Sequence, residues 1–125
     1  MQEIKDKLYL IEKAELLQII MEKKNKLWRL CQICCCFPKN EQHYEITYSF
    51  ANGYDIENFR LIVEKDELVP SISRVYNSAV FYENEMHELW GLNVDNIKVD
   101  MHDKLYRIDT VTPAVTDYVV EKEGE

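Results

Sequence analysis

The sequence predicts a single α+β domain: a mainly antiparallel sheet of about three to four strands, with an N-terminal helix and a second helix packed on it. Three patterns lead to this class. Apolar residues recur at helical spacing over residues 12–24, period-two alternation marks the strands that follow, and a second helical pattern precedes Gly91. An antiparallel sheet that carries helices on one face accommodates this order of elements.

The first helix is expected over residues 12–24, where Leu16, Leu17 and Ile20 fall on one face and glutamates lie on the other. Asn25, between two lysines, indicates its end. The apolar run LWRLCQICCCF, residues 27–37, then predicts a buried strand.

The next two strands are expected to form a hairpin. The segment HYEITYSF, residues 43–50, alternates aromatic or aliphatic residues with polar ones, as a strand with one wet face does. Asn52-Gly53 is a strong signal for a two-residue hairpin turn. The run NFRLIVEK, residues 58–65, supplies the partner strand.

A helical region is expected from Pro70-Ser71 onward, with Ser71 and Ser78 as candidate N-caps on either side of a short break. Its longer part is FYENEMHELWGL, residues 81–92. Gly91 is expected to end this helix in a left-handed conformation, with Leu92 folding back onto the last turn. The helix presents an apolar stripe made of Ala79, Tyr82, Met86, Leu89 and Trp90.

The length and composition indicate one ordinary domain. The chain has 125 residues, of which 46% are apolar and 30% charged, and no apolar run approaches the roughly 18–20 residues of a membrane-spanning helix. We expect a compact core over about residues 8–95 and an extended partner-binding tail over about residues 96–125. The N-terminus lacks the pattern of a secretory signal, so we expect a cytoplasmic protein.

The formal charge of −8 argues against nucleic acid as a partner, because phosphate contacts need clustered lysine and arginine. Anionic lipid surfaces are disfavoured for the same reason. A membrane location would therefore be indirect, through other subunits.

All four cysteines lie in CQICCC, as Cys31, Cys34, Cys35 and Cys36. Their one C-x-x-C pair has no second ligand pair elsewhere in the sequence, so a zinc or iron–sulfur site is incomplete. In a strand, neighbouring side chains point to opposite faces and do not all reach one metal. The favoured interpretation is therefore a set of free thiols that fill the core, as expected in a reducing compartment.

Four interpretations of the glutamates of ENEMHE arise, and two of them fail on spacing. A zinc-protease helix is excluded, because the second histidine would have to stand at Gly91. At 100° per residue, Glu83 and Glu85 flank opposite edges of the apolar stripe and Glu88 faces away, so they do not converge as an acid–base pair. A solvated face with weak ion pairs and an interface or buried network with arginines both remain open; the candidate arginines are Arg29, Arg60, Arg74 and Arg107.

The segment VPSISRVYNSAVFYENEMHELWGL resembles the 30 kDa subunit family of respiratory complex I, the C-subunit family of NADH:quinone oxidoreductase. The family signature is a Glu-Arg-Glu helix, then an acidic residue, two bulky apolar residues and a glycine turn. The matching residues here are Glu83, Glu85, Glu88, Leu89, Trp90 and Gly91. Asn84 stands where the family usually has arginine, so any ion pair of that arginine must be absent or replaced.

The ending looks more like that of the corresponding small subunit of membrane-bound, energy-converting [NiFe] hydrogenases of the Ech type. Those subunits close with a Lys-Leu-Tyr segment and a Thr-x-x-Pro-Ala segment. The matching residues here are Lys104, Leu105, Tyr106, Thr110, Pro113 and Ala114. The histidine- and arginine-rich continuation of the quinone oxidoreductase subunits is missing after Leu92.

This resemblance implies a non-catalytic peripheral subunit on the cytoplasmic side of the cell membrane, with no cofactor or metal of its own. Its implied partners are the [NiFe] large subunit and the iron–sulfur small subunit of a complex that evolves H2 from reduced ferredoxin. Two alternatives stay open: the 30 kDa-type subunit of a complex I-type oxidoreductase, and a free-standing metal-binding or catalytic protein that uses the cysteines with His43, His87 or His102.

Overall fold

A computed structural model describes residues 1–38 and 42–95. Its elements follow the chain as strands β1 (Gln2–Lys5) and β2 (Leu8–Ile11), helix α1 (Lys13–Asn25), strands β3 (Arg29–Cys36), β4 (His43–Asn52), β5 (Asp55–Glu64) and β6 (Leu68–Pro70), helix α2 (Ala79–Glu85), a π-helical segment (Met86–Trp90) and strand β7 (Asn93–Asp95).

Five strands form the main sheet, in the order β1-β2-β5-β4-β3. Neighbouring strands are antiparallel except β2 and β5, which run parallel with Leu8 opposite Asn58. Strands β6 and β7 form a separate parallel pair. The α+β class with a mainly antiparallel sheet is therefore confirmed.

The hairpin between β4 and β5 follows the predicted turn. Asn52 pairs with Asp55 across a two-residue loop, and Gly53 has φ +62°, the left-handed conformation that the turn requires. The register sets Tyr48 opposite Phe59 on one face of the sheet and Thr47 opposite Arg60 on the other. One face is thus apolar and the other polar, as the alternation predicts.

Helix α1 lies on the apolar face. Leu16 and Ile20 are fully buried, and each stabilises the fold by about 1.5–3 kcal/mol relative to an exposed side chain. A capping box begins the helix, with the Glu15 carboxylate accepting a 3.0 Å hydrogen bond from the Glu12 amide. The expected helix of residues 12–24 is confirmed to within one residue at each end.

The end of α1 contains a left-handed residue that the sequence did not indicate. Leu27 has φ +64°, and its amide donates to the Lys24 carbonyl at 3.1 Å. The Trp28 amide donates to the Lys23 carbonyl at 2.9 Å, which completes a Schellman motif. Leucine occupies the position that usually holds glycine.

The elements differ from the expectations in three respects. The main sheet gains two strands, because the short N-terminal hairpin β1–β2 adds to the three that the sequence indicated. Residues 71–78 form turns rather than a helix, since Pro70 belongs to β6 and Ser71 does not cap a helix. Cys34 and Cys36 of strand β3 pair with Thr47 and Glu45 on the polar face of the sheet, so they are exposed rather than part of the core.

The core lies between the apolar sheet face and the two helices. It includes Ile33, Ile46, Tyr48, Phe50, Phe59, Leu61, Ile72, Ala79, Met86 and Leu92. No helix within the described residues is long and apolar enough to cross a bilayer.

Candidate functional site

The glutamate-rich helix packs its predicted apolar stripe onto the sheet. Ala79 and Met86 are buried, and Tyr82, Leu89 and Trp90 are partly buried. The Tyr82 hydroxyl donates a hydrogen bond to the Cys31 carbonyl on edge strand β3 at 3.1 Å. The helix is therefore bound to the edge of the sheet by both apolar contacts and a hydrogen bond.

Glu83 lies inside the fold with no exposed surface. Its two carboxylate oxygens accept from the Ser71 hydroxyl at 2.6 Å and from the Ile72 amide at 2.8 Å. The Ser71 hydroxyl in turn accepts from the Ser73 amide at 3.1 Å. One glutamate thus holds the turn that follows β6 against helix α2.

The charge of Glu83 is not balanced by a cation among the described residues. Burial raises the pKa of its carboxyl to about 7, although the hydrogen bonds from Ser71 and Ile72 oppose this shift. The buried Tyr48 hydroxyl has no hydrogen-bond partner among these residues, and burial, followed by the Glu83 charge, raises its pKa. Arg60, one of the expected arginine partners, contacts Glu45 at 3.7 Å instead.

Glu88 is also buried, with 7% of its surface exposed, so the expectation that it faces away from the stripe was wrong. That expectation assumed an α-helix throughout. The structure has a π-helical turn over Met86–Trp90, where hydrogen bonds join residues five apart rather than four. The wider turn changes the angle between successive side chains, so Glu88 is buried as well as Met86 of the predicted stripe.

The end of this helix is held in two ways. Gly91 has φ +75°, and its amide donates to the His87 carbonyl at 3.0 Å, as the predicted glycine stop requires. Leu92 folds back and is fully buried, which confirms the prediction for this residue. The Tyr44 hydroxyl donates to the Trp90 carbonyl at 2.6 Å, so strand β4 also contacts the last turn.

Two remaining residues of the motif differ in environment. Glu85 is half-buried. Asn84 is buried, and its side-chain amide donates to the Val80 carbonyl at 2.8 Å. The residue that departs from the family pattern is therefore accommodated by a short polar contact within its own helix.

The cysteines do not form a cluster. Burial raises the pKa of the Cys35 thiol to about 12, whereas Cys34 and Cys36 are exposed on the polar face. Within residues 1–38 and 42–95, no group of three histidine, cysteine, aspartate or glutamate side chains is arranged to hold a metal ion. One face of β3 is covered by the core and the other is the open polar face of the sheet, which explains why a continuous apolar sequence does not become a fully buried strand.

Sequence reasoning missed the residues that complete the network around the motif helix. Ser71 does not cap a helix as predicted but donates to Glu83, and Tyr44, whose ring lies in the core, also donates its hydroxyl hydrogen to the last turn. A serine-rich turn after a short strand was the available signal for Ser71. The predicted tail residues Leu105, Tyr106, Thr110 and Pro113 lie outside the described residues.

These features define a class: a small α+β domain whose glutamate-rich helix is integrated into its own core. The chain belongs to the family described as "Respiratory-chain NADH dehydrogenase, 30 Kd subunit", whose model matches residues 10–123. The resemblance inferred from the motif helix is thereby confirmed at the level of the family.

Several relatives carry related names. The NADH-quinone oxidoreductase C subunit of Ruegeria pomeroyi is 31% identical over 58 residues, covering 45% of this chain and 29% of that protein. The protein of the same name from Wolbachia sp. subsp. Brugia malayi is 27% identical over 86 residues, covering 66% of this chain and 38% of that protein. The mitochondrial NADH-ubiquinone oxidoreductase 30.4 kDa subunit of Neurospora crassa is 33% identical over 58 residues, covering 45% of this chain and 20% of that protein.

A solved structure shares the fold. A chain from the membrane-bound sulfane sulfur reductase, an archaeal respiratory membrane complex, superposes with a TM-score of 0.70 at 14% identity, covering 99% of this chain and 82% of that one. By contrast, the matched regions span well under half the length of the relatives compared by sequence.

Proposed function

We propose that this chain is a non-catalytic, peripheral subunit of a membrane-bound, ion-pumping [NiFe] hydrogenase related to complex I. It would lie in the hydrophilic arm on the cytoplasmic side and stabilise the catalytic large subunit. Electron transfer from reduced ferredoxin to protons would take place in neighbouring subunits, including the iron–sulfur small subunit.

The observation that carries the proposal is the family match over residues 10–123, which includes both the motif helix and the Lys-Leu-Tyr and Thr-x-x-Pro-Ala segments. Those two segments favour the hydrogenase form, because they are the features that resemble Ech-type subunits. In this proposal, Leu105, Tyr106, Thr110 and Pro113 belong to an arm, residues 96–125, that contacts a neighbour.

The environment of the motif glutamates supports a structural role. A catalytic carboxylate must reach a substrate atom, whereas Glu83 is fully buried and both of its oxygens accept hydrogen bonds from the chain itself. Glu85 is only half-buried, so it is the motif glutamate that we assign to contact with a partner.

The second candidate is the 30 kDa-type subunit of a complex I-type NAD(P)H- or ferredoxin:quinone oxidoreductase. The names of the relatives in Ruegeria and Wolbachia favour it. The two candidates predict different neighbours, and those neighbours are what a purification would distinguish.

The test is to tag the full chain in its native cells, solubilise the membranes with mild detergent, and identify the co-purifying proteins by mass spectrometry. Recovery of a [NiFe] large subunit, a cluster-bearing small subunit and antiporter-like membrane proteins is expected. NADH-binding and quinone-reducing partners would instead support the second candidate. Recovery of the chain alone from the soluble fraction would overturn both.

A matched pair of variants tests the role of Glu85. Glu85→Gln is expected to lower the yield of the assembled complex severalfold, while the domain keeps its melting temperature, because a charged contact to a neighbour is lost. Glu22→Gln is the control, since Glu22 is exposed and pairs with Lys26, the residue just after α1. Equal yields from the two variants would contradict the assigned contact.

A further inference from the structure

The surface at the end of helix α1 forms a groove of about 390 Å³, here called the α1-end groove. It lies between the end of α1, the start of β3 and the turn before α2. Its lining includes Lys24, Leu27, Trp28, Arg29, Tyr76 and Asn77.

Leu27 departs from two general preferences of protein structure at this groove. It is 85% exposed although it is a large aliphatic residue, and it holds the left-handed conformation, φ +64°, that favours glycine or asparagine. Departures from local preference concentrate at functional sites, where the strained residue has a second use. An exposed leucine on a fixed Schellman turn is suited to enter an apolar pocket on another protein.

The charge of the groove is opposite to that of the chain. Lys24 and Arg29 line it, no acidic side chain does among the residues that the structure describes, and the chain carries a net charge of −8. Neither cation makes an ion pair within that part of the chain; the Lys24 ammonium lies 5.0 Å from the centre of the Tyr76 ring. These two charges are available to carboxylates from another molecule.

The walls of the groove are already fixed. The Tyr76 hydroxyl donates to the Trp28 carbonyl at 2.7 Å, which binds the turn before α2 to the start of β3. The Lys23 ammonium lies 4.1 Å from the centre of the Trp28 ring. A preformed surface of this kind loses little entropy when it binds.

We propose that the α1-end groove is the docking surface for an acidic segment of a neighbouring subunit, with Leu27 inserted into an apolar pocket of that subunit. The carboxylates of the segment pair with Lys24 and Arg29. This inference rests on the proposed function only in taking the partner from the same complex. An anionic bilayer is a poorer occupant, since the remainder of the chain is strongly acidic.

The experiment uses the full tagged chain in its native cells and compares two variants with wild type. Leu27→Gly removes the apolar side chain and relieves the left-handed strain, so the melting temperature of the purified chain should stay equal or rise. Lys24→Glu/Arg29→Glu reverses the charge of the groove. Each is expected to lower recovery of the large and small subunits at least tenfold, and wild-type recovery should fall as salt is raised.

Two controls match these changes. Ile4→Ala shortens another exposed aliphatic residue, and Lys5→Glu/Lys65→Glu alters the net charge by the same amount away from the groove. Both should leave recovery unchanged. If Leu27 had only a structural role, Leu27→Gly would lower both the melting temperature and the recovery of partner subunits. The proposal predicts that only the recovery falls.

The outcomes separate this inference from the proposed function. If the wild-type chain recovers no subunits, the proposed function fails. If wild type and both groove variants recover them equally, only the docking surface is overturned. Two further results would also overturn it. If the wild-type chain forms a dimer that Leu27→Gly dissociates, a second copy of the chain occupies the groove. If a chain shortened to residue 120 loses as much melting temperature as the charge-reversal variant, the chain's own acidic end occupies the groove.

Discussion

The two helices place the same residue type in opposite environments. Glu15 in α1 caps the first turn near solvent, and its hydrogen bond from the Glu12 amide lowers its pKa. Glu83 in α2 lies in the core, and burial raises its pKa to about 7. A glutamate therefore takes its role from where its helix packs, and the helical pattern alone does not distinguish a cap from a buried anchor.

The ends of the two helical segments form a second contrast. Each is closed by a left-handed residue, Leu27 at φ +64° and Gly91 at φ +75°. Glycine adopts this conformation without cost, whereas leucine does so at about 1 kcal/mol. The Gly91 end serves the fold, and we have assigned the Leu27 end to a partner.

The largest expected effect is that of Glu83→Ala. It leaves the buried Ile72 amide without an acceptor and removes the carboxylate that accepts from the Ser71 hydroxyl, so the free energy of unfolding should fall by about 2–4 kcal/mol. Urea denaturation followed by tryptophan fluorescence measures the loss. Glu22→Ala, at an exposed position of α1, serves as the control, and similar losses from the two would contradict the contrast between the helices.

The contributions of Glu83 and Glu15 to the free energy of unfolding should change with pH in opposite directions. The Glu83 pKa is raised from 4.5 to about 7 in the folded chain, so its contribution is present below pH 4.5 and is lost as the pH rises through 7. The full loss is about 3 kcal/mol. The contribution of Glu15, whose folded pKa is lowered, is present above its unfolded pKa and is lost as the pH falls through its folded pKa.

Melting temperatures measured from about pH 5 to about pH 8 test this difference. Glu83→Gln should remove most of the decline that wild type shows toward high pH, because glutamine does not ionise. An unchanged decline in this variant would mean that another group controls stability in that range.

At the helix ends, Gly91→Ala should lower the free energy of unfolding by about 1–2 kcal/mol, because alanine is strained at positive φ. Gly53→Asn is the comparison, since asparagine tolerates the left-handed region and no atom lies within 4 Å of an added Cβ there. If Gly91→Ala lowers the free energy of unfolding less than Gly53→Asn does, the last turn of the π-helical segment relaxes to accommodate alanine.

The smallest expected effect is that of Leu27→Gly, a gain of up to about 0.5 kcal/mol. Relief of the left-handed strain slightly outweighs the greater entropy of glycine in the unfolded chain. Chemical denaturation of the purified full chain measures it. A loss above about 1 kcal/mol would mean that the leucine side chain packs within its own fold.

Much of the fold was predictable because its signals are local. The helical period of α1, the alternation in β4 and the Asn52-Gly53 turn all report on neighbouring residues, and the structure confirms each. Gly91 was predictable for the same reason.

The parts that were missed depend on distant contacts. Strand β2 is only four residues long and gains its place by pairing with β5, so its own pattern is ambiguous. The inward direction of Glu88 follows from the π-helical turn, and the role of Ser71 follows from a glutamate twelve residues later. These contacts cannot be predicted from the periodicity of apolar residues in the sequence.

The parallel pairing of β2 with β5 has a consequence for synthesis. Leu8 pairs with Asn58, so the first strands leave the ribosome well before their partner exists. During that interval β2 lacks its partner strand in the main sheet, while α1 and the β4–β5 hairpin can form from local contacts. We expect the N-terminal hairpin to join the nascent domain last among the strands of the main sheet, so protection from proteases should reach residues 1–11 only after β5 is complete.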